Sequence, residues 1–209
     1  MTDWAAWHAP YDDPASPLSQ RLHAVQAEVA AALDRASEGP IRLLSLCAGQ
    51  GLDVLPLLPT HPRGRDVRGR LVELDPRNVE AARRLAPNGV VVVRADAGST
   101  SASLGAAPAD LLLLCGIFGN VSDEDVERTV DAVPQLCAPG ACVVWTRSRH
   151  APDLTPVVRS WFARAGVAET AFVTEGPGGW AVGAGTFRGQ PRPLQPDVRL
   201  FTFSTRPPG

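Results

Sequence analysis

The sequence has no lysine: all 20 of its cationic side chains are arginine. That excludes a catalytic lysine, a Schiff base and the Tyr-x-x-x-Lys pair of many reductases. A marked excess of either charge is also missing. Arginine nearly balances 22 acids, and the net charge of -2 leaves no electrostatic footprint for nucleic acid. No apolar run approaches the length of a membrane span, so no membrane partner is expected. Cys47, Cys115, Cys137 and Cys142 form no C-x-x-C pair and no Cys/His cluster. That pattern predicts neither a disulfide scaffold nor a metal site, but reduced, buried thiols in a cytoplasmic protein. The opening "MTDWAAWHAPYDDP" has no basic start and no apolar stretch, so no signal peptide is expected.

What is present is ordinary for a soluble globular chain: 209 residues, 44% hydrophobic and 20% charged, enough for one large domain with a real core. The 20 prolines and 19 glycines beside the all-arginine usage fit the codon bias of a GC-rich genome and carry no function. Proline- and glycine-rich stretches at 60–69 and 175–197 read as loops, because structured segments lie on both sides.

Ser16-Pro17 offers a helix cap and a first-turn proline. Leu18, Leu22, Val25, Val29 and Leu33 then follow at helical spacing, so 1–38 reads as an arm plus a helix. From 39 to 209, strands and helices alternate. The expected strands are "IRLLSL", "GRLVELD", "GVVVVRAD", "ADLLLLCGIF", "ACVVWTR", "VAETAFVTE" and a glycine-broken "GWAVGAGTF", with "RLFTFS" as a further candidate. Expected helices include 52–58, "PRNVEAARRLA", one continuous helix through "SDEDVERTVDAVPQL", and "LTPVVRSWFARAG". Crossover-length helices between apolar strands imply an α/β fold: a Rossmann-like, doubly wound, seven-stranded sheet, mostly parallel, ending in an antiparallel C-terminal hairpin.

In such a sheet, ligands lie beyond the carboxyl ends of the strands. After the first strand come Cys47, Ala48, Gly49, Gln50 and Gly51, small residues that let the chain turn and present N–H groups. After the second comes Glu73, which can accept from both ribose hydroxyls, followed by Leu74. After the third comes Asp96, which can accept from an exocyclic amine, and Ala97, whose N–H can donate to a ring nitrogen. Together these read as sites for a ribose and an adenine.

The segments "LLSLCAGQGLD", "GRLVELDPRNVEAAR", "VVRADAG", "ADLLLLCGIFGNVSDEDV" and "APGACVVWTRSR" resemble class I S-adenosylmethionine (SAM) dependent methyltransferases, of a small, single-domain, actinobacterial type. The resemblance covers about 40 to 190. It implies SAM as cofactor, with the glycine loop at its methionine part, Glu73 at the ribose, Leu74 against the adenine and Asp96 at the amine. Cys115, Gly116 and Phe118 would floor the site near the methyl group. The family's loop usually opens with an acid and a glycine, where this chain has Ser45 and Cys47. Asp53 is the candidate to supply the missing charge, or else a first-turn helix acid.

Trp4, Trp7, His8, Tyr11, Asp12 and Asp13 form an aromatic, acidic cluster ahead of the first helix. It reads as a lid bringing Tyr11 and Arg21 to the SAM carboxylate, or as an arm packed on the sheet or on a second subunit of a homodimer. Methyl transfer needs positioning more than acid–base chemistry, with about 7–11 kcal/mol available from orientation. Where the acceptor must lose a proton, His150, His8 and Asp13 are the candidate bases. His23 and His61 read as structural or exposed. "RSRH" could instead anchor an anionic substrate.

The expected function is methyl transfer from SAM to a small molecule; the C-G-I-F after the fourth strand lacks the N-P-P-Y type of tetrapeptide of base-methylating relatives. Two alternatives stay open: a protein of the same fold that binds SAM without transferring a methyl group, and a nicotinamide-dependent oxidoreductase. Against the latter, Val54 stands where the third glycine of G-x-G-x-x-G belongs.

Overall fold

The computed structural model describes residues 13–203. Helix α1 spans Pro17–Arg35. The Ser16 side chain accepts from the Ser19 N–H at 3.0 Å, and Pro17 opens the first turn. Leu22, Val25, Val29, Ala32 and Leu33 are its buried stripe. The Arg63 guanidinium holds its exit, donating to the carbonyls of Ala36, Ser37 and Gly39 at 2.8–3.0 Å.

Seven strands follow: β1 Ile41–Leu46, β2 Val67–Glu73, β3 Val90–Arg94, β4 Ala109–Leu114, β5 Cys137–Ser148, β6 Val167–Thr174 and β7 Trp180–Phe187. They lie in the order β3-β2-β1-β4-β5-β7-β6. The first five pair in parallel, and β7 runs antiparallel between β5 and β6. Helices α2 Pro76–Leu85, α3 Asp123–Asp131, α4 Val133–Leu136 and α5 Thr155–Arg164 complete the fold. The expected seven-stranded, mostly parallel sheet with its antiparallel end is the observed one.

Successive residues of the central strands serve two cores, because side chains alternate across a sheet. Leu43, Leu111, Leu113 and Val144 meet α1, α2 and the turns after β1. Leu44, Leu112, Leu114, Val143 and Trp145 meet α3, α4, α5 and the C-terminal segment. Hence the "LLLL" and "VV" runs: both faces are covered.

Three expected elements differ. Residues 52–58 are a succession of turns rather than a helix: Leu55 N–H reaches Gly51, but Pro56 has no N–H to continue the ladder and Pro59 interrupts it again. The single helix through 122–136 is two, divided at Ala132, because Pro134 cannot donate back into α3. The described part of "RLFTFS", residues 199–203, is no strand; it makes an antiparallel bridge, Arg199 to Ser99, and packs Leu200 and Phe201 into the core. Cys115, Cys137 and Cys142 are buried free thiols and Cys47 is a half-buried one. Among the described residues, no helix is long and apolar enough to cross a membrane.

Candidate functional site

The ends of β1, β2, β3, β4 and β5 bring the expected residues to one rim of the sheet. After Leu46 the chain turns at Cys47, which holds φ at +56°, a left-handed conformation that a side chain disfavours. Ala48 N–H donates to the Val72 carbonyl, and Gly51 N–H closes back on the Ala48 carbonyl at 2.8 Å. Gly49 and Gly51 both have positive φ. From α1, Gln26 donates to the Leu52 carbonyl at 2.8 Å, which ties the helix to this loop.

Glu73 links the next two loops. One carboxylate oxygen accepts from Gly49 N–H and the other from Asp75 N–H, each at 2.8 Å. The side chain is 9% exposed, and each oxygen retains a lone pair. Asp75 caps α2 by accepting from Arg77 N–H. Between the two acids, Leu74 is 61% exposed, a large apolar surface facing solvent at the rim.

After β3, Asp96 accepts from Gly98 N–H at 2.8 Å with one oxygen and from the Arg199 guanidinium at 2.5 Å with the other. Ala97 beside it is buried. After β4, Gly116 sits at φ +72° and donates to the buried Thr146 hydroxyl at 2.9 Å, while Asn120 donates to its carbonyl. Open space surrounds Gly116 where a side chain would stand. The Cys115 thiol is pushed well up, first by burial and then by the Asp53 charge, with Arg21 pulling the other way. Asp53 and Arg21 are thus electrostatic neighbours of Cys115, the first residue after β4. Cys47 is likewise pushed up by burial, then by the charges of Glu73 and Asp96.

The expectation for Phe118 changes. Phe118 is fully buried and packs against Trp145 and Phe162 at 6.2 and 6.1 Å, so its ring is core and offers no face to a ligand. Asp13 is engaged locally, its carboxylate accepting from Ala15 N–H ahead of α1. His150 is exposed past β5, with Nδ1 2.5 Å from the Ser148 hydroxyl. Arg147 donates to the Phe118 carbonyl and to Asp123, and Arg149 pairs with Asp153 at 2.9 Å, so both arginines of "RSRH" brace loops. His61 is structural, between Arg63 N–H and Asp34. His8 and Tyr11 lie outside the described residues.

Sequence reasoning missed Thr146, Asn120 and Arg199. The first sits near the end of a strand, a position that could have flagged it. Nothing local marks Arg199, which arrives from a segment about a hundred residues away in the chain.

The sequence matches no protein-family model and no curated protein. The fold has solved counterparts. It is similar to magnesium protoporphyrin IX methyltransferase from Synechocystis PCC 6803 with bound SAM, at a TM-score of 0.66 and 13% identity, over 90% of this chain and 92% of that one. An O-methyltransferase family protein from Burkholderia thailandensis gives 0.62 at 18% identity, over 83% of this chain and 57% of that longer one. N-methyltransferase NodS from Bradyrhizobium japonicum gives 0.56 at 18%, over 79% and 97%. At such identities the likeness establishes the fold, a Rossmann-like sheet whose solved neighbours include SAM-dependent methyltransferases acting on varied substrates.

Proposed function

We propose that the protein is a SAM-dependent methyltransferase that acts on a small-molecule acceptor. The observation that carries this reading is Glu73. A carboxylate held nearly out of water at the rim, joined to two loops and still able to accept, suits a vicinal diol. The rest of the donor set fits the cofactor. Leu74 offers an apolar face to a purine and Asp96 an acceptor for its amine. Arg21 and Asp53 bring a cation and an anion to the side of an amino-acid end, and Gly116 leaves the backbone open to close approach, with nothing within 4 Å of where its Cβ would stand.

When bound, SAM supplies a methyl group on a sulfonium, ready for in-line displacement. The chain's own contribution is then orientation and exclusion of water. Thr146 and Arg147 fix the loop after β4 that would floor the reacting centre. His150, with its Nε2 directed away from the Ser148 contact, is the candidate to take a proton from an acceptor that must lose one. A small acceptor is favoured by the near-balanced charge and by the engagement of Arg147 and Arg149 with carboxylates. Free thiols agree with a cytoplasmic setting.

The test is calorimetric titration with SAM, S-adenosylhomocysteine (SAH) and NADH. Micromolar SAM or SAH affinity that is lost in Glu73→Ala, with no NADH signal, supports the reading and justifies acceptor screening. Wild-type protein that binds neither SAM nor SAH overturns it. Tight binding with no turnover on any acceptor would favour a binder of the same fold.

A further inference from the structure

After β7 the chain crosses the α3–α5 face as a strap. Arg192 N–H donates to Pro134, Gln195 N–H to the Gln135 side chain, and Thr100 N–H to the Val198 carbonyl, at 2.8–3.0 Å. Leu200 N–H then donates to the Gly98 carbonyl at 2.7 Å. Leu200 and Phe201 are each 1% exposed. Gly98 has no room for a side chain: a Cβ there would stand 2.3 Å from the Phe201 carbonyl oxygen. The backbone on both sides of Arg199 is thus fixed by the loop that carries Asp96, and the guanidinium meets that carboxylate at 2.5 Å.

Both partners are about half exposed, at 52% and 51%. A pair so wet adds little to stability, and the strap is already held by its backbone bonds and buried side chains. With Gly98 N–H on one oxygen and Arg199 on the other, the carboxylate is locked in one orientation, with a lone pair on each oxygen still unused.

We infer that Arg199 is a positioning residue for the adenine end of the proposed site. It acts through Asp96, presetting that carboxylate to accept the exocyclic amine of the purine. This rests on the methyltransferase reading above. Preorganised acceptors bind better than mobile ones because less freedom is lost on binding.

The experiment compares calorimetric affinities for SAH and for its 6-hydrogen purine analogue, which lacks only the amine, while thermal melts monitor folding. Wild type should prefer SAH about tenfold, the effect of one charge-assisted hydrogen bond. Asp96→Ala should bring the ratio close to one. Arg199→Ala should bring it to about two, the double variant should fall no further than Asp96→Ala, and Arg199→Lys should recover part of the preference. A tenfold ratio retained in Arg199→Ala would reduce the arginine to a clasp, and a raised ratio would make it a competitor of the amine; either overturns the inference. Wild-type binding of SAH with no amine preference overturns it while leaving the methyltransferase reading intact. Absence of wild-type binding of both SAH and SAM overturns both.

Discussion

Glu73 accepts a hydrogen bond from the Gly49 N–H at 2.8 Å, joining the end of β2 to the loop after β1. Its second oxygen does the same for Asp75 N–H. Glu73→Ala therefore removes the partner of two backbone donors as well as the proposed ribose ligand. Each unsatisfied buried donor costs about 1–3 kcal/mol, and each kcal/mol lowers the Tm of a chain this size by about 2–4 °C. A thermal melt should show a drop of at least about 4 °C. An unchanged Tm would mean that the carboxylate does not tie the loops.

Cys47 takes a left-handed backbone at φ +56°, which costs a side-chain-bearing residue about 1 kcal/mol. Glycine would relieve that strain but would add freedom to the unfolded chain and give up a half-buried thiol. These effects nearly cancel, so Cys47→Gly should melt within about 2 °C of wild type. Cys47→Val, β-branched and worse suited to positive φ, should melt several degrees lower. Equal melting of the two variants would contradict the loop conformation.

Gly183 lies directly across from Trp145 in the β5–β7 pairing. A Cβ at 183 would stand 2.2–2.4 Å from three atoms of the indole, whose ring stacks on Phe162 at 5.4 Å. The ring cannot step aside, so Gly183→Ala should destabilise by about 1–3 kcal/mol as an overpacked site. Adding Trp145→Leu should recover part of that loss, a coupling that a double-mutant melt measures.

The Asp75 carboxyl is held at about 2 instead of the usual 3.8, chiefly by a hydrogen bond from the Arg77 side chain. Because the folded value is depressed, its contribution is fully present above the unfolded value and disappears as pH falls through the folded one. Asp75→Asn keeps a capping oxygen but loses the charge. Its melting temperature should sit below that of wild type at neutral pH, and the gap should close as pH drops from about 4 to about 2. A gap that persists at the acid end would count against the charge as its source.

The alternation of strands and helices was legible in the sequence because it rests on local matters: apolar runs long enough for doubly covered strands, Ser16 and Pro17 at a helix start, and Ser122 ahead of three acids. The ligand rim was legible for the same reason, since Glu73, Asp96 and the 47–51 loop each follow directly on a strand. Tertiary structure decided what depends on partners distant in the chain. It replaced the expected helix at 52–58 with turns and divided the one expected through 122–136 at Ala132, because prolines tolerated in a pattern cannot donate to a real ladder. It turned Phe118 inward, because Trp145 and Phe162 supply a pocket that no local pattern records. Gly183 is explained only by the tryptophan across the sheet. Arg199 reaches Asp96 because a strap buries Leu200 and Phe201 beside it, and spacing along a chain carries no signal for a contact made by burial elsewhere.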